Sequence, residues 1–325
     1  MGNCTAFLFN CYPKTTETTP RNYKSSSSNS VEEVVVSSQG KLAFQAKKTN
    51  LLSAAAKGYL ARKYFNTSTK TPQVSVRGKV LKPLPGKDYQ WVENKRFGED
   101  QVYTGQMKNE FREGLGFQHW NDGTYYQGMW KDDKCNGLGK LVHSELDYYE
   151  GDWVEDRIHG FGEYTHADGA KYIGHWEFDK QNGTGTETWP DGSRYEGSYK
   201  DGKKDGEGKL EFVDGSWYKG GFQNNCISGK GEYHWADGRV YEGEWKDNKM
   251  HGKGKLSWKS GKYYEGNYVK DKKEGWGVFD WGNGRKYEGY WKNGKQHGIG
   301  NLHEPDGTKT KAVWEHGKKK KVLNE

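Results

Sequence analysis

Cysteine is scarce: four residues in 325, with Cys4 and Cys11 near the start and Cys135 and Cys226 in the body. So sparse a set excludes a disulfide framework and points to free thiols in a reducing compartment. No apolar run approaches the roughly 20 residues of a membrane-spanning helix. Phe7-Leu8-Phe9 is too short for the apolar core of a secretory signal. The chain has no Gly-x-x-x-x-Gly-Lys-Ser/Thr loop and no nucleophile constellation. A strong charge of one sign is also missing where it would matter. The net +7 divides into 16 Lys plus Arg against 7 Asp plus Glu over residues 1–102, 31 against 35 over 103–314, and 4 against 2 over the last eleven. The body is slightly acidic, so its charge balance favours neither nucleic acid nor an anionic membrane.

What is present is a period. Tyrosine recurs every 23 residues, nine times without insertion or deletion: Tyr103, Tyr126, Tyr149, Tyr172, Tyr195, Tyr218, Tyr241, Tyr264 and Tyr287. Glycine follows two positions later each time. Two further on come Met107, Trp130, Trp153, Trp176, Tyr199, Phe222, Trp245, Tyr268 and Trp291. A Gly-x-Gly pair and an Asp-Gly step or a variant of it complete each unit, Glu145-Leu146 breaking the pattern in the second. A fixed period in the twenties means stacked supersecondary units that bury each other. Asp-Gly between alternating runs signals a tight hairpin turn, since both residues tolerate positive φ. The unit therefore reads as a strand, a loop around Lys203-Lys204-Asp205 or its equivalents, a Gly-x-Gly strand and a tight turn. Two strands per unit give about 10 Å of advance, and an array roughly 90–100 Å long. Cys135 and Cys226, four units apart, then stand about 40 Å from each other, beyond the roughly 7 Å a disulfide bridges.

Alternation assigns the faces. Tyr241, Gly243 and Trp245 point one way and Glu242 and Glu244 the other; Gly252, Gly254, Leu256 and Trp258 share a face on the partner strand. One face carries aromatics among glycines over which rings can lie flat, and the other is charged. The expected binding face comprises Tyr126, Trp130, Tyr149, Trp153, Tyr172, Trp176, Trp189, Tyr241, Trp245, Trp258, Trp281, Tyr287 and Trp291. An apolar strip on a sheet must be covered or used. His159, His251 and His297 occupy one slot before a glycine and read as loop elements, so no metal site and no cofactor are expected.

Tyr-Glu-Gly-Glu-Trp at 241–245, with Asp237-Gly238 before it and His251-Gly252-Lys253-Gly254 after it, resembles the MORN repeat. The resemblance covers residues 103–307, and Thr310, Ala312 and Trp314 form a decayed half-unit at the end. It implies an all-β fold, a long, twisted, single-layer antiparallel β-meander of hairpins. It also implies use as a scaffold. Enzymes bearing such repeats carry a separate catalytic domain, for which this chain leaves no room, so no enzyme is expected.

Flanking segments add further expectations. Residues 1–40, rich in Ser, Thr and Asn, read as a disordered tail. Met1-Gly2-Asn3-Cys4 resembles the start of dually acylated proteins, with myristate on Gly2 and palmitate on Cys4, though Ala6 stands where that motif has Ser or Thr. Residues 41–66 read as an amphipathic helix. Leu52, Lys57, Gly58, Arg62 and Phe65 resemble the IQ motif that binds calmodulin-like proteins; capping the array or lying along its aromatic face is the alternative for this helix. Residues 67–102 read as a linker and a degenerate cap hairpin, 103–314 as the array and 315–325 as a basic tail. The favoured function is a scaffold that binds a protein partner at the cytosolic face of a membrane. The alternatives are direct lipid binding by the array and a ciliary or cytoskeletal role without a lipid anchor, and homo-oligomers remain an option.

Overall fold

A computed structural model describes residues 74–323, whose regular elements are all strands. The acylation residues Gly2 and Cys4, the tail, and the IQ-like helix with Leu52, Lys57, Gly58, Arg62 and Phe65 lie outside the described residues. A short hairpin, β1 (Val74–Val76) with β2 (Lys79–Leu81), precedes the main sheet. That sheet begins with β3 (Gln90–Phe97), β4 (Gln101–Lys108) and β5 (Phe111–Trp120) and continues as an antiparallel meander of 21 strands. Each strand pairs with the next in sequence, and the last is Lys318–Val322, the stretch the sequence reads as a basic tail.

The registers show why the period cannot drift. In every unit the glycine two residues after the tyrosine pairs with the second glycine of Gly-x-Gly, as Gly243 does with Gly254. The tyrosine ring lies over this pair. A Cβ on Gly254 would stand 2.2 Å from the Tyr241 hydroxyl, and one on Gly243 only 2.5 Å from the Gly254 Cα. The Tyr241 hydroxyl donates to the carbonyl of Glu244, three residues on, at 3.0 Å, and all nine tyrosines make the equivalent bond. Around each ring the aromatics two positions beyond the glycine close a zipper. Tyr126 meets Trp130 of its own unit at 5.1 Å and Trp153 of the next at 5.5 Å, both edge to face. Such contacts are worth roughly 0.5–1.5 kcal/mol each beyond area burial. The tryptophans add a bond between units: Trp153, Trp245 and Trp291 donate from Nε1 to the carbonyl of a glycine in the preceding unit.

The first glycine of Gly-x-Gly has a different task from the one alternation assigns it. Gly252 sits at φ +57, and a Cβ there would meet the Glu244 carboxylate on the opposite face. It belongs with a register shift after Gly243, a bulge that recurs throughout the array. The turns are also the reverse of the expectation. The two-residue turns, with both φ values positive, fall between the strands of a unit, at Asp132-Asp133 (φ 49 and 63) or Asp247-Asn248 (φ 50 and 61). Lys203-Lys204-Asp205 is therefore the start of a strand (Lys203–Glu211) and not a loop. At the Asp-Gly steps that join one unit to the next, from Asp122-Gly123 to Asp306-Gly307, only the glycine has positive φ. The aspartate accepts the backbone N–H two residues on, as Asp191 does from Ser193 at 2.8 Å. The two-residue turns also latch units together: Asn248 donates its N–H to the carbonyl of Ile227 and accepts the Ile227 N–H on its side chain at 2.7 Å.

The hairpin of β1 and β2 lies on the face opposite the tyrosines. Val74 and Val76 are buried against Leu115 and Phe117, with Leu81 and Met129 alongside. Arg77 extends the contact, its guanidinium 4.4 Å from the Phe161 ring and its N–H on Glu150. Gln106 fastens the segment that follows, exchanging two hydrogen bonds with the Leu84 backbone at 2.7 and 2.8 Å.

Two substitutions separate close approach from backbone conformation. Gly254→Ala forces a Cβ into the Tyr241 ring and is expected to cost about 2–3 kcal/mol in denaturant unfolding. Leu146 occupies a turn position at φ +76 where other units have glycine, so Leu146→Gly is expected to gain about 1 kcal/mol by the same measurement. The tyrosine column gives a pH signature. Burial pushes the Tyr287 hydroxyl up to about 12 and raises those of Tyr103, Tyr149, Tyr195 and Tyr241 further. An unfolded chain releases these protons near pH 10 while the folded chain keeps them, so stability is complete below pH 10 and is lost as pH rises beyond it. Tyrosinate absorbance is expected to appear together with loss of the β-sheet circular dichroism signal. Full ionisation of an intact sheet would contradict this.

Candidate functional site

The aromatic face is not one surface. Two of its columns are interior: Tyr126, Tyr149, Tyr172, Tyr241 and Tyr287 are 0–2% exposed, and Trp130, Trp153, Trp176, Trp245 and Trp291 are 4–7% exposed. These rings are spent on each other and on the glycine backbone. Trp189, Trp258 and Trp281 differ: each is half-buried, at the strand end before an Asp-Gly type turn. Trp235 stands at the same place, and Tyr233 and Phe279 pack beside this rim at 4.5 Å from Trp235 and 4.7 Å from Trp281. The rim is thus a part of the face that solvent or a partner can reach; aromatic residues hold it from the fourth unit to the eighth, with Phe212 in the fifth, and Trp120 holds it in the first. In the second and third units His143 and His166 take the tryptophan position.

A further column crosses the face at the start of each Gly-x-Gly strand, paired across the hairpin with the tryptophan column. Its occupants are Arg112, Cys135, Ile158, Gln181, Lys204, Ile227, Met250, Lys273 and Gln296. Three are cations among aromatic rings. Arg112 lies 4.3 Å from the Trp130 ring and is paired with Asp133 at 3.1 Å. Lys204 lies 4.9 Å from Trp189 and 5.0 Å from Tyr195, and Glu187 holds it at 2.5 Å while also accepting the Tyr199 hydroxyl at 3.1 Å. Lys273 lies over Phe279, Trp291 and Tyr264 at 4.2, 4.7 and 4.9 Å, with no carboxylate paired to it among the described residues. Burial, aided by the nearby Lys262 charge, lowers its ammonium to about 8. It lines an open pocket of about 280 Å³ with Phe279, Trp281, Trp291 and Gln296.

The opposite face is not uniformly charged. Leu115, Phe117 and Met129 lie under the first hairpin, and the middle units are polar. At the far end Trp276 and Tyr290 pair edge to face at 5.3 Å and are 47% and 52% exposed, with Ile299 beside them in sequence register. Cys135 is buried and its thiol is pushed up by desolvation, which makes it inert. No group of three or more His, Cys, Asp or Glu side chains is placed to hold a metal ion among the described residues.

The MORN repeat family matches residues 103–125, 126–144, 149–171, 172–194, 195–217, 218–238, 241–263, 264–284 and 287–309. The chain belongs to the MORN-repeat family. Among curated proteins none matches it. Solved structures similar to this MORN-repeat chain include the TCP10 domain of Danio rerio CPAP in complex with a peptide of Danio rerio STIL. That match has 13% identity over 65% of this chain and 93% of that one, with a TM-score of 0.39. The SAS-4 TCP domain of Drosophila Melanogaster, in complex with a proline-rich motif, matches at 14% identity over 58% of this chain and 97% of that one, with a TM-score of 0.32. Both superpose too weakly to carry a functional argument.

Sequence reasoning placed Trp189, Trp258 and Trp281 together with the interior rings and did not single out Lys204, Lys273, Trp235 or Phe279. The signal was the strand alternation itself. Residues two and four positions after the second glycine of Gly-x-Gly lie on the tyrosine face, but they reach the margin where the chain turns.

Proposed function

We propose that this MORN-repeat protein is a non-catalytic scaffold that holds a segment of a partner protein along the half-exposed tryptophan rim. The observation that supports the reading is the division of the aromatic face. Stability uses the tyrosine and tryptophan columns up, while Trp189, Trp235, Trp258 and Trp281 keep open ring surface in one line on a rigid sheet. Rigid half-exposed aromatics bind polypeptide at low entropic cost. A location at the cytosolic face of a membrane, through Gly2 and Cys4, is part of the proposal and rests on the N-terminal sequence alone. Direct lipid binding by the array is disfavoured by its acidic balance.

A photoreactive phenylalanine at position 258 tests this in cells, with position 242 on the opposite face as the control. Protein adducts are expected from 258 and not from 242, and they should disappear when Trp235 and Trp281 are changed to Ser. Equal adducts from both faces, or adducts only with this chain's own peptides, would refute the reading.

A further inference from the structure

Two units of the array solve the same problem differently. Around Lys204, one carboxylate serves two donors: Glu187 accepts the Lys204 ammonium and the Tyr199 hydroxyl. Three periods later the two donors recur as Lys273 and Tyr268, which pair with each other across the hairpin as Lys204 and Tyr199 do. The acceptor does not recur. The position of Glu187 is held by Leu256, which is buried and apolar. The consequences are visible at both donors. The Tyr268 hydroxyl is buried with no hydrogen-bond partner among the described residues. The Lys273 ammonium has rings around it and no counter-charge, and it borders the open pocket beside the rim. Lys262, over the Trp258 ring at 4.6 Å, and Lys295, on the pocket wall, add positive charge.

A desolvated cation without an acceptor is costly to keep, and an apolar side chain fits this column, since Met250 fills it one unit earlier. We propose that the pocket at Lys273 receives a carboxylate from the partner, an Asp or Glu side chain set among apolar residues in a polypeptide lying along the rim. The bound carboxylate stands in for the glutamate that the seventh unit lacks. It forms a charge-assisted hydrogen bond with Lys273 from the open side of the pocket, while apolar residues flanking it pack on Phe279, Trp281 and Trp258. Partner choice follows, because a neutral or basic side chain in this place leaves the ammonium desolvated and unpaired. The inference rests on the proposed use of the rim.

Peptide selection separates the two. A random dodecapeptide phage library is panned on the full chain, and recovered peptides are tested on Lys273→Met, Leu256→Glu and Trp235→Ser/Trp281→Ser variants. The expected result is enrichment of one Asp or Glu flanked by aromatic or aliphatic residues. Affinity should fall about tenfold or more in Lys273→Met, and equally in Leu256→Glu, which rebuilds the Glu187 arrangement within the chain. A thermal melt of Leu256→Glu at or above wild type would show that the carboxylate is accommodated. Peptides that need the rim tryptophans but show no acidic preference, and bind Lys273→Met unchanged, would overturn the carboxylate inference and leave the rim standing. Failure to recover any rim-dependent peptide would overturn both. Zero-length carbodiimide crosslinking of the full chain covers the remaining occupant: a bond from Lys273 to Glu17, Glu32 or Glu33 would assign the pocket to the chain's own N-terminal region and overturn the partner proposal.

Discussion

The architecture depends on a tyrosine ring lying over two paired glycines while its hydroxyl bonds the carbonyl three residues ahead. A single-layer sheet has no second layer to bury its rings, so burial must come from within the sheet. Removing two facing side chains lowers the floor by a Cβ on each strand, and the ring drops into the gap with its hydroxyl satisfied. The Tyr241 ring, Gly243 and Gly254 form one such unit, and eight others repeat it. Aromatic rings from the same and the following unit then wall the tyrosine, Trp245 and Tyr268 in the case of Tyr241. No insertion is tolerated because each ring belongs to two units at once.

Most of this was legible in the sequence, and what was not has physical causes. The period, the pairing of aromatics with glycines and the all-β class follow from residues that recur without change. The bulge escaped notice because alternation assumes every residue advances the strand, and Gly252 at φ +57 does not. The turns were interchanged because Asp-Gly is an ambiguous signal. Here its aspartate caps a backbone N–H and only its glycine adopts the left-handed conformation, while pairs as ordinary as Glu155-Asp156 carry two positive φ values. The first hairpin was hidden for a different reason. Val74 and Val76 become core only by packing on Leu115, Phe117 and Met129, apolar side chains on a sheet face that is polar in the middle units.

The candidate site was less legible than the fold because its residues stand where the repeat drifts. A column reading Arg, Cys, Ile, Gln, Lys, Ile, Met, Lys and Gln looks like noise around a motif. In the structure it is the column that touches the tryptophans and borders the open side of the face. The same holds for the rim position, which reads Trp120, His143, His166, Trp189, Phe212, Trp235, Trp258, Trp281 and Glu304 along the array. Invariant positions in the period carry stability, and the variable ones are free to differ.

That freedom explains why one array can present distinct surfaces without altering its frame. The fourth and fifth units close their cation internally through Glu187; the seventh and eighth leave theirs open, and Leu256 at the glutamate position keeps the tyrosine–glycine contacts on either side intact while leaving the Tyr268 hydroxyl and the Lys273 ammonium without their acceptor. The opposite face follows the same logic. Its apolar patch at Leu115 and Met129 is covered by the chain's own hairpin, whereas Trp276 and Tyr290 occupy the corresponding positions near the far end and remain exposed. Each of these differences is a single side chain changed at a fixed place in a rigid lattice. The units therefore share one frame and differ in which of them lack an internal partner for a buried polar group.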